Sequence, residues 1–162
     1  LKMIKIIKNF LEPELLTKIK QRVFSQDFPW YWRDKMVNED HYWFNHTFYR
    51  YGKILSPHFE DWIKPILNKL KATKVLDARC NMNTREKESY TSDLHIDFDS
   101  TDIKTSILYL NTCNGGTVVV DKKEKFIPSE ENKMIIFPCV NKHRGVMQTD
   151  EIRRAVININ YV

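Results

Sequence analysis

Hydrophobic positions recur at helical spacing in the first part of the chain and at strand spacing in the second. Leu15, Leu16, Ile19 and Val23 follow Pro13 at the intervals that gather side chains on one helical face, so a helix is expected over 13–25 with the proline at its start. Phe59, Trp62, Ile63, Ile66, Leu67 and Leu70 form a second such stripe. They predict a helix over 56–71, with Ser56 as its N-cap and Pro57 at its first position. From residue 75 onward the apolar runs are short and rich in β-branched and aromatic residues. Those at 75–80, 94–98, 103–110, 117–120, 134–137 and 155–162 read as strands. The alternation of apolar and basic residues from Leu1 to Lys8 reads as a first strand and not as a leader peptide. Gly115-Gly116 marks a turn, and Pro138 closes a strand.

Helices followed by many short strands argue for the α+β class. No repeat or linker divides the chain. It is therefore expected to form one domain over 1–162, with a helical front part (1–74) and core strands (75–162). Between the two helices, Phe28 to Tyr51 is dense in aromatics without a clean period. It serves equally as packed irregular strands or as a substrate-facing wall. Trp30, Tyr31, Trp32, Tyr42 and Trp43, beside Arg33, Lys35 and Arg50, could also stack on and neutralise a single-stranded nucleic acid. Internal packing or a peptide partner is the preferred reading.

Composition narrows the classes. With 42% hydrophobic and 29% charged residues the chain is ordinary for a globular domain. No apolar run is long enough to cross a bilayer, so no membrane role is expected. Cys80, Cys113 and Cys139 are too scattered for a disulfide framework or a CxxC metal site, which fits buried thiols in a reducing cytoplasm. The net charge of +5 favours anionic partners, but Lys and Arg are spread and not clustered.

Three stretches carry candidate chemistry. In Asp93-Leu94-His95-Ile96-Asp97-Phe98-Asp99, strand alternation turns His95 and Asp97 to one face and Leu94, Ile96 and Phe98 toward the core. A solvated edge strand would give the same pattern. His143 follows an apolar strand and precedes Gly145. Two histidines and one carboxylate are the set that holds Fe(II) while leaving positions open. In the last strand, Ala155, Ile157, Ile159 and Tyr161 make an apolar face, whereas Arg154, Val156, Asn158 and Asn160 make a face suited to a wet cavity. A guanidinium there can grip a carboxylate through two parallel hydrogen bonds. Parity favours Arg154 over Arg153 for this role, and residues 84–92 form a polar stretch that could be a lid or an ordinary loop.

His95-x-Asp97, then Tyr109 in Ile107-Leu108-Tyr109-Leu110-Asn111, then Gly115-Gly116, His143 and a basic residue opening the terminal strand resemble the Fe(II)/2-oxoglutarate oxygenase superfamily. The likeness is greatest to its prolyl-hydroxylase-like branch, including small phage-type members, and Ile6 to Leu11 running into a helix is similar too. It covers most of the chain and is weakest over 27–55. The resemblance implies a double-stranded β-helix (jelly roll) with N-terminal helices packed on the major sheet. It implies His95, Asp97 and His143 as iron ligands and catalytic centre. It also implies contacts to 2-oxoglutarate from Arg154 (Arg153 the alternative) and Tyr109. Where the branch tends to carry a tyrosine, this chain offers Asn81 or Asn83, which weakens proline as the substrate.

The implied activity uses O2 and 2-oxoglutarate to hydroxylate a substrate C–H, giving succinate and CO2. A peptidyl proline or other amino-acid residue is preferred, ahead of a free amino acid and a nucleobase. Retention of Asp97 favours hydroxylation over halogenation. A cytoplasmic location is expected, the host cytoplasm if the chain is phage-encoded. The alternatives are a cupin-like metal protein that needs no 2-oxoglutarate, a non-catalytic binding module, and an oxygenase directed at nucleic acid.

Overall fold

A computed structural model describes residues 4–34 and 41–162. Lys35 of the aromatic and basic set, and the first three residues of the expected N-terminal strand, lie outside them. The chain starts with β1 (Lys5–Ile7) and then α1 (Pro13–Val23), where Pro13 sits in the first turn and Lys20 and Arg22 in the last. That placement suits a proline without an N–H and cations at the negative end of the helix dipole. Leu16, Ile19 and Val23 are its buried residues, as their spacing predicts.

β2 (Tyr31–Arg33), β3 (Trp43–Arg50) and β4 (Lys53–Ile54) follow. The aromatic segment thus holds an eight-residue strand. Phe28 and Phe48 are buried, whereas Tyr31 and Trp32 are 58% and 56% exposed, so the segment packs inward and faces outward at once.

The second helical stripe differs from expectation at its start. A π-helical turn, Phe59–Ile63, precedes α2 (Lys64–Leu70), and Ser56 caps no helix. Pro65 explains the break, because it has no N–H to return to Asp61 in a regular α-helix. The wider turn still brings Phe59, Trp62 and Ile63 inward. Buried Ser56 instead meets His46, with 2.7 Å between its Oγ and the ring Nε2.

The remaining strands are β5 (Val75–Thr84), β6 (Lys104–Tyr109), β7 (Gly116–Asp121), β8 (Lys123–Pro128), β9 (Met134–Pro138), β10 (His143–Val146) and β11 (Arg153–Tyr161). The major sheet runs β1-β9-β6-β11-β5-β3-β2, with β4 on β3, and a minor sheet runs β10-β7-β8. Both are antiparallel throughout. The architecture is an α+β jelly roll. The helices lie on one face of the major sheet, where Ile19, Trp62, Ile63 and Ile66 share a core with Ala155, Ile157 and Ile159. A second core, including Ile107, Tyr109, Val119, Ile127, Phe137 and Val156, joins the two sheets. Strand parity therefore decides which core each residue of β11 and β6 enters.

Two strand expectations need correction. Residues 94–98 form no strand: His95 makes one isolated bridge to His143, and Ile96 is 38% exposed instead of facing the core. β8, with the sequence KEKFIP, was not among the expected strands. It is the outer strand of the minor sheet, and such charges deter edge-to-edge pairing. The polar stretch over 84–92, open between a lid and an ordinary loop, is fastened: Arg85, Glu86, Ser89 and Ser92 bond to backbone groups of residues 145–152.

Candidate active site

Between the sheets lies a cavity of about 200 Å³, lined among others by His95, Asp97, His143, Arg79, Asn81, Asn83, Arg154 and Asn158. One potential ligand atom from each of His95, Asp97 and His143 falls within 4.8 Å of the other two. His143 opens β10, while His95 and Asp97 come from the extended segment beside it. His95 N donates to His143 O at 3.0 Å, and His143 N donates to His95 O at 2.9 Å.

The two imidazoles are oriented alike. Nδ1 of His95 lies 3.1 Å from Asp93 O, and Nδ1 of His143 lies 3.4 Å from Asn141 O. A carbonyl oxygen only accepts, so both Nδ1 atoms carry a proton in these contacts and both Nε2 atoms are left to face Asp97. Those Nε2 atoms stand 3.9 Å from the Asp97 carboxylate. Burial pushes His143 down to about 4, which keeps it neutral and able to ligate. Burial also pushes the Asp97 carboxyl up, but Arg79, His143 and His95 outweigh it and leave the group below the ordinary carboxylate value.

At another part of the same cavity stands Arg154, only 4% exposed. One terminal nitrogen donates to Gly116 O at 3.0 Å and meets Thr117 Oγ1 at 3.4 Å, while its buried Nε has no partner. Among the described residues it forms no ion pair. A buried cation with an orphaned donor is costly unless an anion joins it. Arg153 points away: it donates to Phe24 O at 3.2 Å and lies over the Phe24 ring at 5.1 Å, on the helix side of the sheet.

Tyr109 is fully buried and lies outside the cavity lining, with the Arg154 guanidinium 5.6 Å from its ring and its hydroxyl 3.4 Å from Ile127 O. Asn81 and Asn83 both line the cavity, and the buried Asn81 Oδ1 has no partner. Asn158 donates to Asp97 Oδ2 at 3.4 Å.

Sequence reasoning missed Arg79. Its terminal nitrogens lie 3.3 Å from Asp97 Oδ1 and 3.3 Å from Asp77 Oδ2, and Asp77 in turn accepts from Arg50 Nε at 2.9 Å. The signal was present in β5, where Asp77, Arg79, Asn81 and Asn83 alternate with Ala78, Cys80 and Met82. Polar residues on every second position mark a wet face of the kind already recognised in β11.

No protein-family model and no curated protein matches this chain. Solved structures do match in fold. An oxidoreductase of the 2OG-Fe(II) oxygenase family from Burkholderia pseudomallei is 12% identical, with a TM-score of 0.74 over 98% of this chain and 84% of its own. A prolyl hydroxylase from Trichoplax adhaerens, in complex with a hypoxia inducible factor oxygen degradation domain peptide fragment, is 16% identical. Its TM-score is 0.71 over 98% of this chain and 83% of its own. The epimerase SnoN, solved with Fe3+, alpha ketoglutarate and nogalamycin RO, is 9% identical, with a TM-score of 0.69 over 99% of this chain and 79% of its own.

Proposed function

We propose that this chain is an Fe(II)- and 2-oxoglutarate-dependent dioxygenase that hydroxylates a substrate C–H bond. One observation carries the reading. Two imidazoles and a carboxylate converge in a cavity that also contains a buried guanidinium with no ion pair among the described residues. The first group fits Fe(II) with open positions, and the second fits the far carboxylate of a dicarboxylic co-substrate. When bound, iron and 2-oxoglutarate supply from O2 an oxidant strong enough for an unactivated C–H, with succinate and CO2 as co-products.

The chain's own residues do the holding and the excluding. His95, Asp97 and His143 would carry the metal. The Nδ1–H bonds to Asp93 O and Asn141 O keep both rings turned inward. Arg154 would bind 2-oxoglutarate, with Tyr109 packed against its guanidinium and Asn81 offering an unused amide oxygen. Trp43, Ile107, Met147 and Val156 make the apolar part of the wall and limit water around the reacting groups. The preferred substrate is an amino-acid residue in a peptide, peptidyl proline included, and the expected location is cytoplasmic.

Anaerobic titration of the apo-protein with Fe(II) and 2-oxoglutarate tests the reading through the visible charge-transfer band of the chelate. The band should form in the wild type and vanish in His95→Ala. In Arg154→Ala it should need far more 2-oxoglutarate. A folded, metal-binding protein that shows no band overturns the co-substrate assignment and favours a cupin-like metal protein.

A further inference from the structure

A second cavity, of about 310 Å³, adjoins the first and shares Asp97 and Arg79 with it. Its other lining residues are Arg50, Tyr51, Asp77, Ile96 and Phe98, and Arg154 is not among them. The carboxylate proposed to hold the metal therefore faces two lobes, and only one contains the guanidinium assigned to 2-oxoglutarate. Resting on that assignment, we propose that the second lobe receives the substrate and that the substrate carries a carboxylate, bound by Arg50 beside Arg79.

Charge supports an anion here. Asp77 accepts from Arg50 and forms an ion pair with Arg79 at 3.3 Å, so its charge is already answered and it serves to hold two guanidiniums side by side. The remaining acid, Asp97, would belong to a divalent cation. With the metal in place the lobe holds more positive than negative charge. Arg50 bonds to Asp77 through Nε, and among the described residues its two terminal nitrogens have no other partner. Those two nitrogens present the parallel fork that suits a carboxylate.

The rim supports an organic acid over a bare inorganic anion. Tyr51 stands at φ 49 in the two-residue turn between β3 and β4, followed by Gly52 at φ 80. Such turns favour Asn or Gly at both positions, and an aromatic side chain there is strained. The turn nevertheless presents a tyrosine, 82% exposed, at the mouth of the lobe. Ile96, 38% exposed because its segment is not a strand, lies beside the metal-site carboxylate. Together they offer apolar contact to the carbon skeleton of a bound acid.

The test uses full-length protein loaded with Mn(II) and saturated with 2-oxoglutarate. The probes are the free amino acids, their C-terminal amides, and short peptides that differ only in one Glu or Gln. Thermal shift and tryptophan fluorescence report binding. At least one acid should bind tenfold or more tightly than its uncharged partner. That preference should fall at least tenfold in Arg50→Gln and return in part in Arg50→Lys. Preference for a free amino acid over its amide identifies an α-carboxylate, whereas preference for Glu over Gln peptides identifies an acidic side chain. Either result supports the proposal. Equal binding of acids and uncharged partners overturns it, as does an Arg50→Gln protein that binds the acid like the wild type. Failure of the proposed function reads out separately, as absence of the Fe(II) and 2-oxoglutarate band in the wild type.

Discussion

His95 and His143 are joined twice: by a reciprocal pair of backbone hydrogen bonds of 3.0 and 2.9 Å, and by rings whose centroids lie 4.4 Å apart. The segment that carries His95 and Asp97 makes little other regular structure, so this rung and the Thr91–Val146 bridge tie it to the minor sheet. Main-chain pairing thus fixes the two histidines side by side.

Because those bonds are main-chain, His95→Ala should keep them. The variant should melt within a few degrees of the wild type, since the His95 side chain is 30% exposed. Metal affinity should fall by more than the roughly 10–100-fold that loss of an outer-shell hydrogen bond typically causes. Calorimetric Mn(II) titration and thermal denaturation measure the two effects. A large loss of melting temperature with retained affinity would show that His95 is structural.

The neighbouring arginines should separate cleanly. Arg154→Gln should weaken 2-oxoglutarate binding by roughly 10–100-fold, as expected for losing charge-assisted bonds worth about 1.5–3 kcal/mol. Arg153→Ala should leave that affinity unchanged. It should cost about 1 kcal/mol of stability, because it removes the bond to Phe24 O and the cation–π contact on the Phe24 ring. Band titration and urea denaturation of both variants decide it.

What was legible in the sequence depended on how strongly a local pattern constrains its surroundings. β11 was readable because nine residues alternate between two chemistries, and only one strand orientation satisfies both. Residues 94–98 misled because an extended chain puts His95 and Asp97 on one side with or without a ladder. His95 and Asp97 do share a side, on one cavity, whereas Ile96 does not face the core. Helix α2 lost its first turns to one proline, a local effect outweighed in the reading by six well-spaced apolar residues. The Arg50–Asp77–Arg79–Asp97 chain was invisible for another reason. It joins β3, β5 and the His95–Asp97 segment, and no single stretch of sequence contains it.

That chain gives a prediction about pH. Arg79 and the two histidines hold Asp97 below the ordinary carboxylate value against the upward push of burial. In Arg79→Gln the carboxyl should rise, so a proton competes with the metal at higher pH. Mn(II) affinity should therefore drop as pH falls, with a midpoint displaced upward from that of the wild type. Superimposable pH profiles would remove Arg79 from any role in positioning or charging Asp97.

Gly116 links the fold to Arg154. A Cβ there would lie 2.3 Å from Ile127 O and 2.7 Å from the Phe126 ring, and Gly116 O is the acceptor for Arg154. Backbone oxygen cannot yield as a flexible side chain does, so Gly116→Ala must displace β7 from β8. Stability should fall by about 1–3 kcal/mol, the usual cost of overpacking, and 2-oxoglutarate affinity should fall with it. A variant with wild-type stability would show that the β7–β8 approach is looser than it looks.

Stability should also depend on pH through His46, whose ring packs against Phe28 and Phe48 and does not line the cavity of His95, Asp97 and His143. It is 5% exposed, its Nδ1–H donates to Pro29 O at 2.9 Å, and its Nε2 accepts from the Ser56 hydroxyl at 2.7 Å. Burial, with help from Arg22, holds its pKa below the ordinary histidine value despite the bond to Pro29. The unfolded chain, titrating near 6.5, then binds more protons than the native one at mildly acid pH. The contribution of His46 is complete above about 6.5 and is lost as pH falls toward the depressed native value, at up to about 1.4 kcal/mol per pH unit for one proton. His58 and His143 are lowered by burial as well and add to the slope in metal-free protein. The informative quantity is therefore a difference: between pH 7.5 and 5, His46→Gln should lose less stability than the wild type in urea denaturation, although it starts lower. Parallel curves would mean that His46 titrates in the folded protein as it does in the unfolded chain.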